Sequence, residues 1–172
     1  MKHSIIIILI GIILGRPAYA QALTSSNLPI VVVNTNGQVI PNEPRIKAQL
    51  GIVYKGEGIR NNINDPRNHY NGLAGIEVRG QSSQGFPMKS YDVELWNSDS
   101  TENEVSLFGF PKESDFSLYA PYTDKTLMRN FLAYTFTREM GRWAARCRYV
   151  ELVVDDDYKG IYVLMEKIKR DS

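Results

Sequence analysis

Gly75-Ile-Glu-Val-Arg-Gly-Gln-Ser-Ser-Gln-Gly-Phe-Pro-Met-Lys-Ser-Tyr-Asp-Val-Glu-Leu95 reads as a strand, a Gly/Ser turn and a second strand. Ile76 and Val78 alternate with Glu77 and Arg79 on the first arm. Tyr91, Val93 and Leu95 alternate with Ser90, Asp92 and Glu94 on the second, so each arm buries one face. Between the arms, Gly80 and Gly85 permit backbone conformations closed to other residues, Ser82 and Ser83 supply hydroxyls, and Arg79 and Lys89 place a cation at either end. Such a turn suits an anion. A plainer role stands beside this one: Arg79 and Lys89 pair with Glu77, Asp92 or Glu94 across the sheet, and the serines only form the turn.

Outward from this unit the chain is mostly strand. Leu28–Asn34 is a buried run ending in the Asn34-Thr-Asn-Gly37 turn, Gln38–Ile40 reads as a short strand, and Ile46–Tyr54 alternates apolar with polar positions. Lys55–Gly72 is rich in Gly, Asn, Asp and Pro and reads as a long ordered loop carrying His69, a length often associated with function. Phe116–Ala120 is a further strand. Tyr149–Val154 and Ile161–Met165 form a hairpin joined by Asp155–Gly160, whose three adjacent aspartates diverge and are not assigned a metal. One helix is expected, with Thr123 as N-cap, Asp124 in its first turn and Gly141 as its stop. Its apolar stripe comprises Leu127, Met128, Phe131, Leu132, Tyr134 and Phe136, and packs on the sheet. The fold class is α+β: a twisted, mostly antiparallel sheet with one principal helix.

Met1–Ala20 has a short basic start, the apolar run Ser4–Leu14 and small residues Ala18 and Ala20 before Gln21, the pattern of a secretory signal peptide. The run is shorter than a membrane span requires. A secreted or otherwise extracytoplasmic protein, held at the cell surface or free of it, is therefore expected, with no transmembrane segment after cleavage. Residues 21–27 read as a disordered polar leader and 28–172 as one domain. The whole chain carries 20 Lys+Arg against 19 Asp+Glu. Removal of Lys2 and Arg16 leaves it near −1, which argues against nucleic acid as a partner. Cys147 is the lone cysteine, so no internal disulfide is available. The apolar, then basic end, Ile161–Arg170, reads as a stop inside a larger domain, with an exposed apolar edge expected near Ile161–Ile168.

Four segments in order, Arg79–Ser83, Phe86–Tyr91, Leu118–Asn130 and Tyr158–Ile168, resemble the spore-coat-protein-H (CotH) kinase family, and Leu28–Tyr54 looks like the leader of its exported bacterial members. The resemblance implies a secreted, atypical kinase-like fold of which this chain supplies the N-terminal lobe. Its cofactors would be ATP and Mg2+, and its reaction phosphoryl transfer to protein Ser/Thr. By position, Arg79, Gly80, Ser82 and Ser83 would face the phosphates and Lys89 would reach the nucleotide. Asp124, Lys125 and Arg129 would stand at the helix start. Glu166 would lie near the junction with the second lobe, paired with one of these cations. Asp124 as a simple helix-start residue, and Arg129 as a structural partner of Glu151 or Glu166, remain open.

The turn departs from ordinary protein kinases, since Gly80 and Gly85 do not form G-x-G-x-x-G and no Val-Ala-Ile-Lys strand is present. The family's catalytic and metal-binding acids are expected beyond Ser172, so the sequence as given is expected to be inactive and to bind nucleotide weakly or not at all. The competing class is a non-catalytic, secreted β-rich module whose loops contact a glycan, a coat component or a surface protein. Convergence of Arg79, Lys89 and the helix start on one cleft would separate the two.

Overall fold

A computed structural model describes residues 22–168. The expected signal peptide, its cut at Gln21 and residues 169–172 lie outside the described residues. The strands are β1 (Ser25–Ser26), β2 (Ile30–Asn34), β3 (Ile46–Val53), β4 (Asn61–Asn62), β5 (Tyr70–Arg79), β6 (Ser90–Trp96), β7 (Asp115–Tyr119), β8 (Cys147–Val154) and β9 (Asp157–Glu166). A single 3-10 turn, Ser82–Gly85, and one helix, α1 (Arg129–Glu139), complete the described elements.

The sheet is not open. Seven strands close into a barrel in the order β2-β3-β5-β6-β7-β9-β8, which corrects the expected twisted open sheet and its likeness to a kinase N-lobe. Neighbours along the order pair antiparallel. The seam is parallel, with Ile30–Val33 of β2 laid against Glu151–Val154 of β8. Closure satisfies the backbone donors and acceptors that two edge strands would expose. Alternation along each strand then decides what fills the barrel: Val31, Val33, Leu50, Ile52, Ile76, Val93, Phe116, Leu118, Leu152, Tyr162 and Leu164 form one buried cluster.

The outward positions serve a second purpose. Ala145, Cys147, Val163 and Met165 make an external apolar patch that α1 covers with Phe131 and Tyr134, and Tyr119 and Tyr149 pack at its margins. Phe131 stacks on Tyr149 with ring centroids 4.7 Å apart. Cys147, the first residue of β8, is buried and free, and burial pushes its thiol pKa up. On the neighbouring wall, Arg45 reaches Glu77, Glu94 and Asp115 and so ties the segment before β3 to β5, β6 and β7. Gly75 leaves room there for the Trp96 ring, which a side chain would strike.

Several boundaries differ from expectation for local reasons. Gln38–Ile40 forms no strand, and Val39 is exposed. The polar leader is ordered from Ala22: β1 pairs with β4, Ser26 donates to Glu151 at 2.7 Å, and Asn61 donates to the Leu28 carbonyl at 2.8 Å. The β8–β9 hairpin is tighter than Asp155–Gly160, because Asp155 and Asp156 both take left-handed φ of 47° and 63° and β9 starts at Asp157. Asp155 is spent on Thr35, whose N–H donates to it at 2.7 Å, and Asp157 pairs with Lys159. The helix starts at Arg129, not Thr123, because Leu127 takes φ +59° and breaks the run. Finally, Tyr162–Glu166 is buried within the barrel wall, so the expected apolar edge near Ile161–Ile168 shrinks to Ile168.

The long loop before β5 ends in a clamp. His69 Nε2 accepts the Phe108 N–H at 2.9 Å, and the two rings stack at 4.4 Å. Tyr54 packs edge-on against both rings, and the Arg148 guanidinium lies over Tyr54 and Phe108 while donating to Glu57. Accepting that N–H requires a neutral imidazole, and burial followed by the Arg148 charge holds the His69 pKa below its ordinary value. The unfolded chain therefore takes up this proton first as pH falls. Stability contributed by His69 is complete above about pH 6.5 and is lost as pH drops toward the lower folded value. Melting temperatures compared at about pH 7.5 and about pH 5.5 should fall in wild type and change less in His69→Gln.

Candidate functional site

The turn after β5 is built from its own groups. Gly80 takes φ +101°, and a Cβ there would run into the Ser83 hydroxyl. The Phe86 N–H donates to the Ser83 carbonyl at 3.1 Å and the Gln84 N–H to the Gln81 carbonyl at 3.3 Å. The Gln84 side chain donates to the Gly80 carbonyl and to Asn42, and Lys89 Nζ donates to the Gln84 carbonyl. Lys89 is thus turned back to close the loop. Its own carbonyl accepts the Tyr162 hydroxyl at 2.8 Å, so the turn is anchored from inside the barrel.

Arg79 ends β5 on the outer wall. Its Nη1 donates to the Ser117 hydroxyl, which in turn donates to Asp92 Oδ1 at 2.6 Å, and its Nε lies 3.6 Å from Asp92. Lys167 Nζ stands 3.1 Å from the other Asp92 oxygen. The pairing expected of Arg79 with a wet-face acid is present and falls on Asp92. A guanidinium carries five N–H donors. This pairing therefore fixes the Arg79 side chain, 40 % exposed, without exhausting it.

Beside Arg79 lies a cleft of about 260 Å3 between the turn and α1. Arg79, Gly80, Ser83, Thr123 and Asn130 supply its polar lining, and Phe86, Met88, Tyr119, Tyr134 and Met165 its apolar lining. Asn130 and Tyr134 project from the first turns of α1. The sequence reading did not single them out, although Asn130 closes the Leu118–Asn130 segment and Tyr134 belongs to the apolar stripe.

The other expected site residues lie elsewhere. Ser82 is exposed and off the cleft wall. Asp124 is buried and serves the helix: its carboxylate accepts the Thr126 hydroxyl at 2.7 Å and the Arg129 N–H at 2.8 Å. These bonds, the Thr126 hydroxyl first, hold its pKa below the usual carboxylate range. Arg129 is exposed beside Asp124 and meets neither Glu151 nor Glu166. Lys125 stands over the Tyr122 ring, 5.6 Å from its centroid. Glu166 binds Arg146 twice, through the backbone N–H at 2.6 Å and Nη1 at 3.1 Å, instead of a cation at the helix start. Of the expected set, Arg79, Gly80 and Ser83 share the cleft, while Lys89, Asp124, Lys125 and Arg129 do not, so the expected convergence of Arg79, Lys89 and the helix start on one cleft is met only in part. Among the described residues no group of three or more His, Cys, Asp or Glu side chains is arranged to hold a metal.

Fold and site together define a closed-barrel protein with an external cleft roofed by one helix. The chain belongs to the CotH kinase protein family, whose model matches residues 76–172. The match takes in every residue named on the cleft wall and leaves β1 to β4 before it. No curated protein matches the chain.

Proposed function

We propose that this chain carries the nucleotide-binding part of an exported, CotH-type atypical protein kinase, with ATP and Mg2+ as cofactors and Ser/Thr hydroxyls of a surface or coat protein as acceptors. The observation that carries the reading is the convergence of Arg79, the Gly80–Ser83 turn and Asn130 on one cleft that apolar and aromatic side chains also line. Phosphate oxygens call for fixed donors and a cation, and a purine calls for flat apolar surface. Both kinds of group line the cleft. Arg79 would bind a phosphate with its remaining donors, Asn130 and Ser83 would orient the chain of phosphates, and Tyr119, Tyr134 and Met165 would hold the base out of water.

The fit to the metal is different. No carboxylate lines the cleft, and both Asp92 oxygens are engaged by Ser117 and Lys167. The described residues suit the nucleotide and do not form a magnesium cage, so no step through the metal is assigned to them. Export rests on the Ser4–Leu14 run and the small residues before Gln21.

Calorimetric titration of the full chain with MgATP tests the reading. Weak but saturable binding is expected in wild type, in keeping with the low affinity expected from the sequence. Gly80→Ala should weaken it at least about tenfold, because an L side chain at that φ forces the turn open. Absence of binding in wild type would remove the nucleotide and favour the non-catalytic module.

A further inference from the structure

The outward side of α1 is unexplained by the barrel it covers. At 3.6 residues per turn, Phe131 and Tyr134 face the barrel while Arg129, Leu132, Phe136 and Met140 fall on the opposite side. Leu132 is 40 % exposed, Phe136 59 %, Met140 70 % and Trp143, just past the helix, 67 %. Among the described residues nothing covers them. Contiguous exposed apolar surface of this kind marks a contact surface.

Charge indicates what the surface meets. Lys125–Arg148 holds six Lys+Arg and one acid, Glu139, a local charge of +5 in a chain whose total is +1. Three of the six are engaged: Arg138 with the Ala145 carbonyl, Arg146 with Glu166 and Arg148 with Glu57. Lys125 stands over Tyr122; Arg129 and Arg142 remain exposed on the apolar side of α1 and just past it, and the Arg129 side chain is 77 % exposed beside its one acidic neighbour, Asp124.

We infer that this face of α1, with Trp143, docks on an anionic lipid surface. Arginine stems lie along apolar surface while their heads reach phosphate, tryptophan favours the boundary between headgroup and acyl chain, and exposed Phe, Met and Leu supply the buried area. Basic side chains add attraction to anionic lipid that salt screens. The helix would lie in the plane of the surface over about 16 Å. Asn130 and Tyr134 would stay on its inner side, so docking leaves the cleft accessible. The inference does not depend on what the cleft binds.

The test is flotation of the full chain with vesicles of phosphatidylglycerol and phosphatidylcholine, against phosphatidylcholine alone. The N-terminal apolar run is shared by every variant, so differences between variants report on α1. Expected are preference for the anionic vesicles, loss of binding with added salt, and a blue shift of tryptophan emission that disappears in Trp143→Phe. Arg129→Glu with Arg142→Glu should reduce partitioning at least about tenfold with the melting temperature unchanged, since both side chains are exposed. Phe136→Ser with Met140→Ser should do the same from the apolar side. Equal binding to both vesicles, or no effect of either pair, overturns the inference. Self-association in sedimentation that the Phe136 and Met140 changes abolish, without vesicle binding, overturns it in favour of a second copy of the chain.

Discussion

Tyr162→Ala should lower the melting temperature by about 6 to 20 °C and loosen the turn that faces the cleft. Tyr162 is 1 % exposed inside the barrel and lies beside Tyr91, with ring centroids 6.3 Å apart. Removing a buried aromatic ring costs about 3–5 kcal/mol, because the lost transfer energy is joined by a cavity the barrel wall cannot collapse. In a domain of this size each kcal/mol moves the midpoint by about 2–4 °C. Burial, with the neighbouring Tyr91 second, pushes the Tyr162 hydroxyl pKa up, so it remains a neutral donor to the Lys89 carbonyl across the working range. Tyr162→Phe separates the two roles. It keeps the ring and leaves that carbonyl unpaired, for about 1 kcal/mol. Thermal unfolding followed by circular dichroism should rank wild type, Phe and Ala in that order; an Ala variant as stable as wild type would mean the interior is not packed as described.

Arg79→Ala should weaken MgATP about 10- to 150-fold, the equivalent of losing one charge-assisted bond of roughly 1.5–3 kcal/mol. Little stability should go with it. Asp92 retains Ser117 at 2.6 Å and Lys167 at 3.1 Å, and a partly exposed ion pair contributes little to folding. Arg79→Lys keeps the charge and gives up the fork, so it should recover only part of the loss. Calorimetry for affinity and thermal melts for stability distinguish a ligand-binding Arg79 from one that only staples β5 to β7. In the second case the melt would move and the affinity would not.

Much of the local structure was legible because it rests on period and turn chemistry. The alternation in Gly75–Leu95 specifies two strands with Ile76, Val78, Tyr91, Val93 and Leu95 inward, and Arg79 outward, opposite Ser90 and diagonal to Asp92. Barrel closure was not legible. It depends on Ile30–Val33 meeting Glu151–Val154 in parallel, and nothing in either strand's alternation names a partner so distant in sequence. The helix start was misplaced because Thr123 and Asp124 look like caps, and the positive φ at Leu127 is not signalled by its side chain. Asp124 does cap the helix, but from a preceding turn.

Lys89 shows the same limit. Its position between a Ser-rich turn and a strand matches a phosphate-binding cation, yet tertiary geometry returns its ammonium to the Gln84 carbonyl. The apolar stripe of the expected helix was read as one buried face, whereas α1 is apolar on two sides and only Phe131 and Tyr134 meet the barrel. Sequence spacing gave the residues; which side the barrel occupies depended on the closure that could not be seen.

The central claim is that nucleotide enters between the Gly80–Ser83 turn and α1. The most direct measurement is an amide chemical-shift titration of the full chain with MgATP, which also registers weak binding. The account predicts saturable shifts confined to Arg79–Ser83, Tyr119–Thr123 and Asn130–Tyr134. Absence of shifts, or shifts gathered instead around Glu57, Arg148 and Tyr149, which line a separate cleft of about 460 Å3, would contradict it.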